Sequence, residues 1–169
     1  MHQPPQGAAF DVVLLFHVGC VVVGIATVVT ATTTAGRLRR ALGSATPLPD
    51  ALRRYFRPGV NWAGRTVYGI PVFGFALLAM SRGAFSLSDG WVLGGLGLFV
   101  ALALVSEAVL WPAERRVQAA LAEGATARAS TTPVARSEAA EASAIVMARA
   151  GGVVLVLLLA GTVLMIAQP

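Results

Sequence analysis

Two ionisable side chains lie inside long apolar stretches of the sequence, His17 and Glu107. An ionisable group inside a membrane span is a functional candidate by default, because the bilayer disfavours it. Cys20 follows His17 at i+3, so that a helix would place imidazole and thiol on one face. Such a pair could share a copper ion, or His17 could be an axial haem ligand. The alternative is a structural histidine, hydrogen-bonded between helices and without a cofactor.

Glu107 has two arginines at a similar predicted depth, Arg149 and Arg65. A carboxylate beside an arginine in a span is most simply an ion pair that locks helices together, and a proton or cation relay through Glu107 is the alternative. From the helical rise, His17 and Glu107 would lie about 14 Å apart along the membrane normal. We therefore expect two separate sites.

The predicted depths of these residues in the membrane are measured from the stretch between Trp91 and Trp111, which is apolar almost throughout. On a helix the two tryptophans would be about 30 Å apart, which is the thickness of the hydrocarbon core. Because indole rings prefer the headgroup level, we interpret Trp62, Trp91 and Trp111 as interface anchors. The sequence predicts one all-α domain over residues 1–169, a four-helix transmembrane bundle with spans at about 10–31, 62–80, 91–111 and 145–167.

Span one carries small and polar residues at alternating steps of three and four, and this spacing predicts a face that packs on other helices. These residues are His17, Cys20, Gly24, Thr27 and Ala31. The threonine run that follows, at 32–34, is expected to lead out to water. Pro71 predicts a kink in span two. Ala148 and Gly152 form a small-xxx-small pair in span four.

The arginines predict the topology. All 13 basic residues are arginine, and only Arg82 falls outside the loops at about 36–61 and 112–144 and the inner ends of the spans. The positive-inside rule makes both loops cytoplasmic, which places both termini outside. Within the second loop, 113–123 is expected to stay helical, 124–133 to be a linker, and a helix to start near Ser137.

The first loop contains a short amphipathic segment. Asp50 is expected to cap a helix that Pro58 and Gly59 end. Leu52, Tyr55 and Phe56 would share one side, opposite Arg53, Arg54 and Arg57. This pattern favours a helix on the membrane surface with its arginines on anionic headgroups, and a solvated connector is the alternative.

Composition excludes several classes of protein. The chain is 56% apolar and 12% charged, whereas soluble domains carry about 25% charged residues. The net charge of +5 does not indicate nucleic-acid binding, because the arginines flank apolar spans. A single cysteine allows neither an internal disulfide nor a zinc finger. Arginine without lysine, with abundant alanine and glycine, indicates a high-GC bacterial genome, and hence the bacterial cytoplasmic membrane.

Three consecutive stretches carry a family resemblance: GIPVFGFALLAM, SRGAFSLSDG and WVLGGLGLFVALALVSEAVLWPAERRVQ. They resemble an uncharacterised family of small bacterial four-span membrane proteins, remotely similar to the copper-resistance D membrane domain. The likeness extends to FHVG in span one. It implies a four-helix membrane bundle and no established activity, and no functional residue is carried over from it.

The sequence leaves three function classes open. No phosphate-binding loop, catalytic triad or facing acid pair is recognisable, so we do not expect an enzyme. The favoured hypothesis is a non-catalytic membrane protein that packs against copies of itself or within a larger complex. A small transporter or a metal- or haem-handling protein that uses His17 and Cys20 is the second hypothesis. A membrane enzyme is the third.

Overall fold

The computed structural model describes residues 7–44, 47–126 and 133–167, and within these ranges it contains helices and no strand. The α-helices are α1 (Ala8–Leu42), α2 (Asp50–Tyr55), α3 (Trp62–Arg65), α4 (Gly69–Met80), α5 (Gly90–Val105), α6 (Trp111–Thr126) and α7 (Pro133–Ala167). A 3-10 turn, Thr66–Tyr68, joins α3 to α4, and a π-helical turn, Ser106–Leu110, joins α5 to α6.

Four helical stretches are long and apolar enough to cross a membrane: Ala8–Leu42, Trp62–Met80, Gly90–Glu123 and Glu138–Ala167. Their outward faces carry large apolar side chains, including Leu15, Val72, Val156 and Ile166. So much exposed apolar surface is typical of contact with lipid. The predicted all-α fold with four spanning helices is confirmed, and these helices fit a multi-pass membrane protein.

Helix α1 continues well beyond the predicted end of span one. The threonine run at 32–34 lies inside this helix, and two of its hydroxyls bond to carbonyls of the same helix. Its exit to water stays a prediction. Thr32 Oγ1 donates to Val28 O at 2.8 Å, and Thr33 Oγ1 donates to Val29 O at the same distance. The buried face also continues, with Ala35 and Leu38 fully buried at the helical spacing that Val28 and Ala31 begin.

The two proline-containing spans depart from regular α-helix near their prolines. Pro71 has no N–H for the carbonyl of residue 67, and a 3-10 turn lies just before it. The kink of span two stays a prediction. Pro112 likewise leaves the carbonyl of residue 108 without its i+4 donor. There the helix widens, and the Trp111 N–H bonds to Ser106 O, five residues back.

The residues fall into two compact units, which we describe separately. Unit one comprises Met1–Thr27, Asn61–Leu102 and Leu155–Pro169. Within it α1 lies against α4, where the rings of Phe16 and Phe73 stack with centroids 5.4 Å apart. Tyr68 meets Phe99 edge to face at 6.2 Å. A Cβ built at Gly94 of α5 would lie 2.9 Å from Leu164 Cδ2, so α5 and α7 are also close.

Unit two comprises Val28–Val60 and Ala103–Val154. Glycine permits a close crossing of α1 and α7 here, because a Cβ built at Gly151 would overlap Thr32 Oγ1. Most of the deeply buried apolar side chains in the described residues belong to this unit. They include Ala35, Leu38, Phe56, Ala113, Val117, Ala144, Met147 and Val154.

The amphipathic helix of the first loop is present as α2, with two corrections. Asp50 is its first residue rather than its cap, and the residue that precedes it is Pro49, which offers no capping side chain. Leu52 is 6% exposed and Phe56 2% exposed. The apolar side of α2 is therefore covered by protein, and the position of this helix on the membrane surface stays a prediction.

The second loop is more helical than predicted. Helix α6 includes the predicted segment 113–123 and ends at Thr126, and α7 begins at Pro133, before the expected start near Ser137. The expected linker at 124–133 is therefore helical at both margins, and its centre at 127–132 lies outside the described residues.

Candidate functional site

The predicted packing face of α1 is confirmed in unit one, and His17 is its centre. His17 Nδ1 lies 2.9 Å from the backbone carbonyl oxygen of Ile70 on α4. Gly74, one turn further along α4, leaves room for the ring, since a Cβ built there would lie 3.3 Å from His17 Cε1. A carbonyl oxygen can accept but not donate, so Nδ1 carries the hydrogen. In the neutral imidazole Nε2 then keeps its lone pair.

Two neighbouring cavities border this histidine. The first has a volume of about 320 Å³ and the second about 240 Å³. Four residues line both: His17, Ile70, Phe99 and Met165. The remaining lining of the first cavity is largely aromatic and aliphatic, and it includes Phe10, Phe75, Phe85 and Trp91. Both cavities belong to unit one, and an apolar wall with very few polar groups is typical of small-molecule sites.

His17 is the principal polar side chain of these walls. Thr162 also borders the second cavity, but its hydroxyl donates to Leu158 O at 2.8 Å within α7. Trp91 lines the first cavity, and its ring meets Phe85 edge to face at 5.5 Å. The site can therefore orient a largely apolar molecule that carries one hydrogen-bonding group, through a hydrogen bond to His17.

Cys20 shares the face of His17 but has different surroundings. A Cβ built at Gly69 would lie 2.5 Å from Cys20 Sγ, so the thiol is packed against the backbone of α4. Cys20 does not line either of the two cavities. Among the described residues, no three His, Cys, Asp or Glu side chains lie close enough to hold a metal ion together. A copper site at His17 and Cys20 stays a prediction.

The residues of the predicted ion pair belong to three different helical elements. Glu107 is exposed and belongs to the π-helical turn, and Arg149 on α7 is also exposed, both in unit two. Arg65 is half-buried at the end of α3, in unit one. The ion pair stays a prediction.

The three tryptophans differ in exposure. Trp62 is 74% exposed, Trp91 is half-buried beside the first cavity, and Trp111 is only 6% exposed in unit two. Protein packing is thus sufficient to explain the apolar environment of Trp111. The role of these residues as interface anchors stays a prediction.

A buried polar group on α6 was not predicted. Glu114 and Gln118 are both 7% exposed, one helical turn apart, and Gln118 Nε2 donates to Gly59 O at 3.4 Å. Tyr55 Oη is also buried, and it has no hydrogen-bond partner in the described part of the chain. Burial raises the pKa of Tyr55, and the charge of Glu114 adds to the effect. The sequence signal was present, because Glu114 and Gln118 continue the apolar spacing of Leu110.

The arginines of α2 form a separate surface. Arg53, Arg54 and Arg57 are exposed and, with Asp50, border an open depression of about 430 Å³. Three guanidinium groups against one carboxylate make this surface basic and suited to phosphate groups. It belongs to unit two, like the rest of the first loop up to residue 60.

The comparisons with known proteins add no relative. No protein-family model matches this chain, and neither curated proteins nor solved structures give a significant match.

Proposed function

We propose that this is a non-catalytic multi-pass protein of the bacterial cytoplasmic membrane that packs against other membrane helices, in a homo-oligomer or a larger complex. The observation that carries the proposal is the open surface at two glycines. A Cβ built at Gly97 of α5 or at Gly152 of α7 would have no heavy atom within 4 Å. Gly152 also follows Ala148 by one turn, and small residues let the backbone of another helix approach closely.

Leucine substitutions at these glycines test the proposal. We expect Gly97→Leu and Gly152→Leu to abolish cross-linking or copurification of the partner from mild detergent, because the added side chain blocks close approach. Val100→Leu and Val153→Leu are matched controls on the same helices, at exposed positions that are already bulky. A chain that stays monomeric and without a partner in native membranes would contradict the proposal, as would an assembly that both glycine variants leave intact.

The proposed topology has both termini outside, with the loops 36–61 and 112–144 in the cytoplasm. The distribution of arginines supports it. With Cys20 replaced by alanine, single cysteines at Ser44 and Ser88 can be labelled in intact cells with a membrane-impermeant thiol reagent. We expect labelling at Ser88 and protection at Ser44 until the cells are opened. The reverse labelling pattern would show the opposite topology and contradict this part of the proposal.

We propose that Arg53 and Arg54 of α2, with Arg57 just after it, bind anionic headgroups on the cytoplasmic side, since all three side chains are exposed. A cluster of positive charge near a membrane surface contributes about 1 kcal/mol per residue to binding anionic lipid. Replacing all three by glutamine should therefore reduce the anionic lipid that copurifies with the protein. Unchanged lipid content would contradict this part of the proposal.

We propose the ion pair of Glu107 with Arg149, and with Arg65, as the lock between helices. A double-mutant cycle with Glu107→Gln and Arg149→Gln measures the first pair by thermal unfolding in detergent. Residues that interact give a coupling of about 0.5–3 kcal/mol. A coupling near zero, with activity lost and assembly normal in Glu107→Gln, would favour a relay instead.

A metal- or haem-handling function through His17 and Cys20 is the second candidate. The hydrogen bond from His17 Nδ1 to the Ile70 carbonyl favours it, because metal-ligating histidines usually donate their other N–H to such an acceptor. Copper or a Soret band that copurifies with the protein and is lost in His17→Asn would establish this candidate. This candidate would be refuted if protein isolated from cells supplied with copper and haem contained neither.

A further inference from the structure

We propose that the cavities beside His17 bind the ring of a lipid-soluble aromatic alcohol, of the chemical class of quinols. This goes beyond the proposed packing function and does not depend on it. The larger cavity, about 320 Å³, lies at the lower end of the range of about 300–1,000 Å³ that is typical of small-molecule sites. It is therefore suited to a single substituted ring with its alkyl chain continuing outwards.

The free ring nitrogen of His17 is a hydrogen-bond acceptor, which favours a ligand with a hydroxyl group. Because Nδ1 donates to Ile70 O, the group that neutral His17 offers a ligand is the Nε2 lone pair, an acceptor. A phenolic O–H can donate to it, whereas a quinone carbonyl cannot. The site should therefore prefer the reduced quinol to the oxidised quinone. A saturated acyl chain has no donor and would leave this nitrogen unmatched.

The walls select a flat ring. Phe99 borders both cavities, and Phe75 and Trp91 border the larger one. Aromatic side chains pack edge-to-face or offset against a second ring, and these contacts add to the burial of apolar area. An aliphatic lipid alcohol shares the hydroxyl but gains none of these ring contacts. The aromatic lining thus distinguishes two ligands that His17 alone would treat alike.

The surroundings allow a lipid-soluble ligand to enter. Leu14 and Phe75 line the larger cavity and are 41% and 47% exposed. Both side chains belong to helices that are long and apolar enough to cross a membrane. A molecule dissolved in the lipid can therefore approach the cavity between them, with its hydroxyl entering first.

The test uses the full chain, purified in mild detergent and titrated by calorimetry with a short-chain benzoquinol under reductant. The oxidised quinone and a long-chain aliphatic alcohol are titrated in parallel. We expect the quinol to bind about three- to tenfold more tightly than the quinone, the ratio that one hydrogen bond supplies. We expect a ratio of about three- to tenfold over the aliphatic alcohol as well, there from the aromatic contacts. Equal affinities for quinol and quinone would overturn the role of His17, and equal affinities for quinol and aliphatic alcohol would overturn the role of the aromatic walls.

Two variants test the same site by different means. His17→Asn can keep a donor for Ile70 O while removing the Nε2 acceptor, so it should lose the preference for quinol. Leu96→Trp fills the larger cavity and leaves His17 in place, so it should abolish binding even if His17→Asn does not fold. Cys20→Ala is the matched control, one helical turn from His17, and should bind like the original chain. Quinol binding that survives in Leu96→Trp would refute the site.

Discussion

Tyr55→Phe is expected to stabilise the protein. The phenol oxygen of Tyr55 has less than 1 Å² of accessible surface and no hydrogen-bond partner among the residues that the structure describes. Leaving a buried polar group unsatisfied costs about 1–3 kcal/mol. Because the whole side chain is only half-buried, we take the lower end and expect a gain of about 1 kcal/mol.

Thermal unfolding in detergent measures this gain. For a chain of this length, about 1 kcal/mol corresponds to a rise in Tm of about 2–4 °C. Tyr55→Ala is the contrasting variant, because it also removes the ring that meets Phe56 edge to face at 4.9 Å. We expect Tyr55→Ala to lose about 3 kcal/mol, the lower end of the range for aromatic truncations in protein interiors, because the side chain is half-buried.

The pH dependence gives a second readout of the same group. The pKa of Tyr55 is raised in the folded protein, first by burial and then by Glu114. A raised folded pKa means that the associated stability is fully present below the unfolded value near 10 and is lost as pH rises above it. The original chain should therefore lose stability above pH 10 more steeply than Tyr55→Phe. A lower Tm for Tyr55→Phe at neutral pH would refute the reasoning, because it would mean that the hydroxyl has a favourable partner.

Three further predictions follow from backbone and glycine geometry. Gly151→Ala should lower the free energy of unfolding by about 1–3 kcal/mol, because its Cβ would meet a neighbouring side chain. The adjacent Gly152→Ala should be neutral or stabilising. Equal unfolding temperatures for the two variants would contradict the close crossing of α1 and α7. Gly69→Ala should be similarly destabilising, and Cys20→Ala should partly restore the stability. Additive losses in the double variant would contradict the contact between Gly69 and Cys20. Arg82→Gly should gain about 1 kcal/mol, since Arg82 has φ of 53°, and an unchanged Tm would show that no strain is relieved.

The span count could be read from the sequence because it depends on a single physical quantity, the apolar length of a helix. Four apolar stretches of sufficient length specify four helices wherever water is excluded, since backbone polar groups must then be satisfied within each segment. The ends of the helices were harder to predict. Span one was predicted to end at about residue 31, whereas α1 continues to Leu42, and Thr32 and Thr33 bond to carbonyls one turn back within it.

The packing partners of polar residues required the tertiary structure. Periodicity alone placed His17, Cys20 and Gly24 on one face, because helical spacing is local. It could not show that Nδ1 of His17 donates to Ile70 O, or that the ring borders two cavities, since these depend on a residue 53 positions away.

The same limit explains α2 and Trp111. An amphipathic pattern predicts that one side avoids water, but it does not say whether lipid or protein covers that side. In the structure protein covers Phe56 and Trp111, which are 2% and 6% exposed. The sequence by itself determined the four spanning helices and the packing face of α1, because those follow from apolar length and local spacing. Only the tertiary structure decided what each face meets, because that depends on contacts between distant parts of the chain.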